Sequence, residues 1–205
     1  MNTRCYPRLA HGISWLLHPF LQPLYLITLL LTCTVYAGYA PRMKLYLWGV
    51  VILYTMLIPA LALGVLRRMG RLSDYRIDNR RERILPLLVG ALCYLLCAMT
   101  IGKIPSAEFI RKLMIAGVCC ELLCLFVSLR WKISLHLCGM GTLTAMLVLL
   151  NFIGVGNMVW PLVAAILLSG MLASARLYLG CHNPLQIAAG YCGGFAVALL
   201  AVVFF

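Results

Sequence analysis

From Met158 to Ala173, and again from Ile187 to Phe205, the chain carries no charged residue. A helix rises 1.5 Å per residue, so about 20 consecutive apolar residues cover the roughly 30 Å of a bilayer's hydrocarbon core. Runs of this kind predict helical spans near 16–37, 45–66, 84–101, 109–129, 136–153, 158–175 and 184–205. They are continuous and lack the period-two alternation of a membrane barrel. Gly154, Val155, Gly156 and Asn157 alone separate the fifth and sixth runs, which suits a tight helical hairpin. The expected fold is all-α: a polytopic transmembrane helical bundle of about 6–7 spans, with residues 1–205 as one integral membrane domain. Composition agrees, with 64% hydrophobic and 11% charged residues, against about 25% charged in soluble domains.

The polar residues that remain exclude several functions. A net charge of +12 is no sign of a nucleic-acid partner here, because the basic residues fall between spans, where they meet lipid headgroups and set topology. Only five residues are acidic. Asp74, Asp78 and Glu82 share one loop, Glu108 is in another and Glu121 stands inside a span, so the clustered carboxylates that hold catalytic cations are missing. The ten cysteines sit mostly within spans and read as small hydrophobes, not as a metal site or a disulfide framework. No metal and no cofactor is expected. Nor is a cleavable leader expected, since the apolar run after Arg4, Arg8 and His11 is too long and no small-residue cleavage site closes it.

Seven spans impose a parity. The loops 67–83, 130–135 and 176–183 follow the second, fourth and sixth crossings, so they share one membrane face with the N-terminus. These loops and the first residues of the spans that follow them hold the polar islands of the chain: an arginine-rich stretch from Arg67 to Arg83, then Lys132, Ser134 and His136, then Arg176, His182 and Gln186. A polar cluster between apolar runs is costly beside a bilayer and marks a functional site by default. Twelve basic residues fall on this face and five on the other, which predicts a cytoplasmic site by the positive-inside rule.

Arginine forks match phosphate oxygens. Two histidines can divide phosphoryl transfer, one attacking phosphorus and the other protonating the leaving oxygen. If the last helix begins at residue 182, His182 and Gln186 are four apart on one face, and the Gln186 carbonyl can accept the His182 Nδ1 proton.

In order and spacing these residues resemble the type 2 phosphatidic acid phosphatase superfamily, whose motifs run Lys-x6-Arg-Pro, Pro-Ser-Gly-His and Ser-Arg-x5-His-x3-Asp. Arg76-x6-Arg83 matches the first with arginine for lysine. Ile133-Ser134-Leu135-His136 matches the second at serine and histidine, and Ala175-Arg176-x5-His182-x3-Gln186 matches the third except at its ends. The resemblance covers roughly 67–205, and the string Arg80 to Pro86 is similar to a divergent bacterial membrane branch seen in Bacteroidetes. It implies a multi-pass protein of the bacterial inner membrane, with an extracytoplasmic site. It also implies a metal-independent hydrolase acting on a lipid phosphate or diphosphate within the surrounding membrane lipids. His182 would form a phosphohistidine and His136 would act as general acid. Arg76, Arg83, Arg176 and Ser134 would bind the phosphoryl group, with Lys132 near enough to help. Three departures stand out: Gln186 replaces an aspartate, Leu135 a glycine, and Pro86 is displaced by two residues. A phosphotransferase and a non-catalytic lipid-phosphate binder are the rival readings.

Other residues carry structural expectations. Arg80 and Arg81 are alternatives to Arg76 or Arg83, and Lys132 equally suits a lysine that snorkels to headgroups. His18, Pro19 and Pro23 read as a kink or span boundary. Glu121 reads as paired internally or protonated, and Cys181 lacks a base of its own.

Overall fold

A computed structural model describes residues 5–72 and 80–205, and among these every regular element is a helix. In order they are α1 (Cys5–Leu16), α2 (Gln22–Cys33), α3 (Pro41–Ile52), α4 (Ile58–Arg68), α5 (Ile84–Ile101), α6 (Glu108–Ser128), α7 (Leu135–Ile153), α8 (Val159–Tyr178) and α9 (Pro184–Phe204). Five rods are long and apolar enough to cross a membrane: Pro41–Arg68, α5, α7, α8 and α9. That is consistent with a multi-pass membrane protein. Helix α6 has the length, at 21 residues, but carries Glu108, Arg111, Lys112 and Glu121.

The run expected over 16–37 is not one helix. Pro19 disfavours helical geometry at His18, the chain turns through residues 17–21, and Pro23 occupies the first turn of α2, where its missing N–H costs nothing. Thr34 then goes extended (φ −123°, ψ −174°) and ends α2 after 12 residues, about 18 Å at helical rise. The run expected over 45–66 is instead longer, 28 residues from Pro41 to Arg68. Pro59 cannot donate to the carbonyl four residues back. The helix absorbs this as a π turn over Leu53–Leu57, with the Ile58 N–H reaching the Leu53 carbonyl.

The rods are apolar on all sides, so burial and not hydropathy tells their faces apart. On α5, Leu87, Ala91 and Ala98 are buried while Leu88, Leu92, Leu95 and Met99 are exposed, a stripe fit to face lipid. Helix α7 packs closely against α9, and α5 against α6. Lipid gives helices little hydrophobic reason to associate, so close backbone approach at small residues supplies the contact. A Cβ on Gly190 would stand 2.6 Å from the Ser134 carbonyl oxygen, and Gly194 likewise abuts the backbone of Cys138.

The two ends of the bundle are tied by different bonds. At one end the Val35 N–H donates to the Val155 carbonyl (3.3 Å) and the Tyr39 hydroxyl to that of Ser106 (2.5 Å). The hairpin after α7 turns at Gly154 (φ +74°), and the Met158 N–H donates to Asn151 Oδ1 (2.9 Å). At the other end lie the turn 17–21 and the connections leading into α5, α7 and α9.

Candidate functional site

Helix α8 runs past the expected limit of 175, which places Arg176 on its last turn. Beyond it, the Gly180 N–H donates to the Leu177 carbonyl (2.9 Å) and the Cys181 N–H to that of Arg176 (3.2 Å). This bond pair defines a Schellman turn. It needs a positive φ at Gly180, +63° here, which glycine adopts without steric cost. The turn brings Arg176 and His182 to one space.

Helix α9 begins at Pro184, not at His182, because Asn183 caps it. Asn183 Oδ1 accepts the Gln186 N–H (2.9 Å) and Gln186 Oε1 accepts the Asn183 N–H (3.2 Å), a reciprocal capping box. His182 therefore precedes the helix, yet its Nδ1 stands 3.1 Å from the same Gln186 Oε1. The expected pairing is present through a cap and not through a shared helix face. The cap also assigns the proton. A backbone N–H can only donate, so the atom facing it is the carbonyl oxygen of Gln186, which can only accept. Nδ1 of His182 must then carry the hydrogen, leaving the Nε2 lone pair available. His182 is 8% exposed. Burial pushes its pKa down to about 4, the Gln186 bond partly opposes this, and the charges of Arg176, Arg83 and Lys132 add to the lowering. The ring is neutral at pH 7.

The other islands join this one by backbone contacts. The Ser134 N–H donates to the Gln186 carbonyl (3.3 Å), and Arg83 Nη1 to the Ile133 carbonyl (3.0 Å). Arg83 is only 4% exposed and Ser134 is fully buried. The Ser134 hydroxyl has no hydrogen-bond partner among the described residues. His136 lies on the first turn of α7, within electrostatic reach of Arg176 and His182, and Lys132 is likewise near His182. Leu135, at the expected glycine position, lines the same space. Thus Arg83, Lys132, Ser134, His136, Arg176, His182 and Gln186 are brought together. Arg76 lies outside the described residues.

One residue at the site was assigned only a structural part by its sequence. His18 packs edge-on against His136 with ring centroids 5.2 Å apart. The Phe20 N–H donates to its Nδ1 (3.3 Å), so the hydrogen of the neutral ring is on Nε2. Burial, with Arg176 adding, holds its pKa below the ordinary histidine value. Gln22 fixes the arrangement: its Nε2 donates to the carbonyls of Leu17 (3.0 Å) and His136 (3.3 Å). The amide rests where a side chain on Gly139 would collide with it. The signal was available, since His18 interrupts an apolar run at the same end of the bundle as the other islands.

A cavity of about 500 Å³ opens among these residues, with His18, Arg83, His136, Arg176 and His182 on its walls. That is within the usual range for small-molecule sites. Among the described residues no group of three or more His, Cys, Asp or Glu side chains is placed to hold a metal ion. Compared with known proteins, the chain matches no family model, no curated protein and no solved structure.

Proposed function

We propose that this protein is a multi-pass phosphatase of a bacterial inner membrane that removes phosphate from a lipid phosphate or diphosphate. The observation that carries the reading is His182: neutral, with its Nδ1 hydrogen held by Gln186 and its Nε2 without a partner among the described residues, in a cavity walled also by Arg83, Arg176, His18 and His136. In this reading α2 with the turns on either side of it, bonded to both ends of α7, the Pro41–Arg68 rod and α5 to α9 make seven crossings, with the site at headgroup level. The resemblance to the type 2 phosphatidic acid phosphatases supports the same assignment.

The chemistry follows from the groups present. His182 Nε2 attacks phosphorus as the bond to the leaving oxygen breaks, and that oxygen takes a proton from His136, which enters the step as the imidazolium stabilised by the anionic phosphate beside it. Arg83 and Arg176 meet the charge spread over the equatorial oxygens. Ser134, with its buried hydroxyl, donates to the same oxygens. Water then attacks the phosphohistidine, the P–N bond breaks, and the proton of that water returns to His136.

The neutral Gln186 also favours a second reading, in which the pocket binds a lipid phosphate without turnover. Purified protein in detergent should release phosphate from phosphatidic acid, phosphatidylglycerol phosphate or a polyprenyl diphosphate. It should also trap radiolabelled phosphoryl group on His182, and His182→Ala should lose at least a thousandfold in rate. Equal release by wild type and His182→Ala would sink the histidine mechanism. Tight binding with no release by wild type would establish the non-catalytic reading, and label passing to a second lipid would mark a phosphotransferase.

A further inference from the structure

The cavity does not end at the polar cluster. It continues into the bundle between α5, α6 and α7, where Leu87, Tyr94, Leu113, Cys120 and Glu121 line it. Two of these residues are polar, and each is seated by a glycine on the facing helix. On α6, Glu121 lies against Gly90 of α5, where an added Cβ would come within 3.2 Å of the carboxyl group. On α5, Tyr94 lies against Gly117 of α6, where a Cβ would stand 2.5 Å from the ring. Gly90 and Tyr94 are four residues apart on one helix, as are Gly117 and Glu121 on the other, so each pair shares a helix face. The two helices thus exchange a glycine for a polar side chain twice, and both side chains reach the cavity.

Among the described residues neither the Glu121 carboxyl group nor the Tyr94 hydroxyl has a hydrogen-bond or ion-pair partner in the protein. Both side chains are half-buried and line the cavity, and a polar group left without a partner in apolar surroundings is costly. Inside a membrane protein such residues mark a pathway or a ligand. Gly90, against which Glu121 lies, is seven residues beyond Arg83 at the start of α5, hence roughly 10 Å along the helix from that arginine. An amphiphile with its phosphate among Arg83, Arg176 and His182 would lay its apolar body past this point.

We infer that Glu121 and Tyr94 form a second recognition point in the cavity, binding a hydroxyl group carried on the chain of the lipid phosphate, roughly 10 Å from its phosphorus. The inference rests on a lipid phosphate occupying the polar end. The Glu121 carboxyl group accepts from the hydroxyl and the Tyr94 hydroxyl donates to it. The occupant is then distinguished from ordinary phosphatidic acid by its chain as well as by its head.

Two long-chain alkyl phosphates test this, one plain and one with a mid-chain hydroxyl at that distance, each measured for binding to the purified protein and for phosphate release. Wild type should bind the hydroxylated lipid about tenfold more tightly. Glu121→Leu should abolish that preference while keeping its affinity for the plain lipid, and Glu121→Gln, which retains a hydrogen-bonding side chain, should preserve most of the preference. Retained affinity for the plain lipid shows that the variant is folded. Equal binding of the two lipids by wild type, or an undiminished preference in Glu121→Leu, overturns the inference even if phosphate is released. Preference without phosphate release leaves it standing and removes the phosphatase reading. Binding of neither lipid removes both.

Discussion

One oxygen, Gln186 Oε1, accepts from the Asn183 backbone and from the His182 ring. As a helix cap it needs no further explanation, since a side chain reaching back to the N-cap residue is a common way to satisfy an orphan donor. Its bond to His182 adds chemistry, because it selects the tautomer that leaves the Nε2 lone pair available. What it does not add is charge. A histidine whose pKa is pushed down to about 4 stays neutral from pH 8 to about pH 5 and takes a proton only as the pH falls through 4. Gln186→Asp would place an anion at the same cap, where the helix N-terminus favours negative charge. That anion would stabilise the imidazolium and raise the His182 pKa by about 1 to 3. Nitrogen-15 NMR of labelled histidine should follow this. The wild-type His182 signal should show Nδ1–H across the neutral range, and the variant signal should titrate nearer pH 6. A wild-type ring that titrates at its ordinary value would contradict the buried, cation-flanked environment. The pairing of residues 182 and 186 was legible from spacing alone. The cap behind it was not, because it depends on Pro184 starting the helix.

At the scale of elements, prolines and glycines decide where apolar sequence stops being one rod. Hydropathy alone placed α5 over 84–101, as observed, because nothing within it interrupts the ladder. It ran α1, the turn and α2 partly together because an apolar average does not register Pro19, Pro23 or the extended Thr34. The contact between α7 and α9 was likewise hidden, since the glycines that permit it look the same in sequence as those facing open space. Gly190 and Gly170 separate the two cases. A Cβ on Gly190 meets the Ser134 carbonyl at 2.6 Å, and one on Gly170 meets nothing within 4 Å. Gly190→Val should therefore force α9 away from the start of α7, at a cost of about 1–3 kcal/mol. It should lower the thermal unfolding midpoint in detergent, whereas Gly170→Val should leave that midpoint nearly unchanged. Equal effects of the two substitutions would show that valine in a helix, and not close approach, is responsible. Because Ser134 lies at this contact, Gly190→Val should also weaken binding of the lipid phosphate proposed for this cavity.

At the scale of the whole molecule, the site forms where the segments that lead into α5, α7 and α9 are bonded together. The bonds from Arg83 to Ile133 and from Ser134 to Gln186 join segments far apart in sequence. Those from Val35 to Val155 and from Tyr39 to Ser106 do the same at the opposite end. Arginines supply both the excess charge at the site end and the walls of the cavity, so a charge count mixes topology with binding. It cannot by itself name the compartment. Accessibility can test the arrangement without that assumption. In a background with the native cysteines replaced, Arg71→Cys would place a thiol beyond the end of α4 and Val155→Cys one in the hairpin after α7. An impermeant thiol reagent added to intact cells should label only one of the two, and inverted vesicles should give the opposite pattern. Labelling of both from one side would mean an even number of crossings between them, and would dismantle the seven-span arrangement. If the intact cells label position 71, the arginines at the site end are held against the positive-inside rule. Binding, not topology, then accounts for their number.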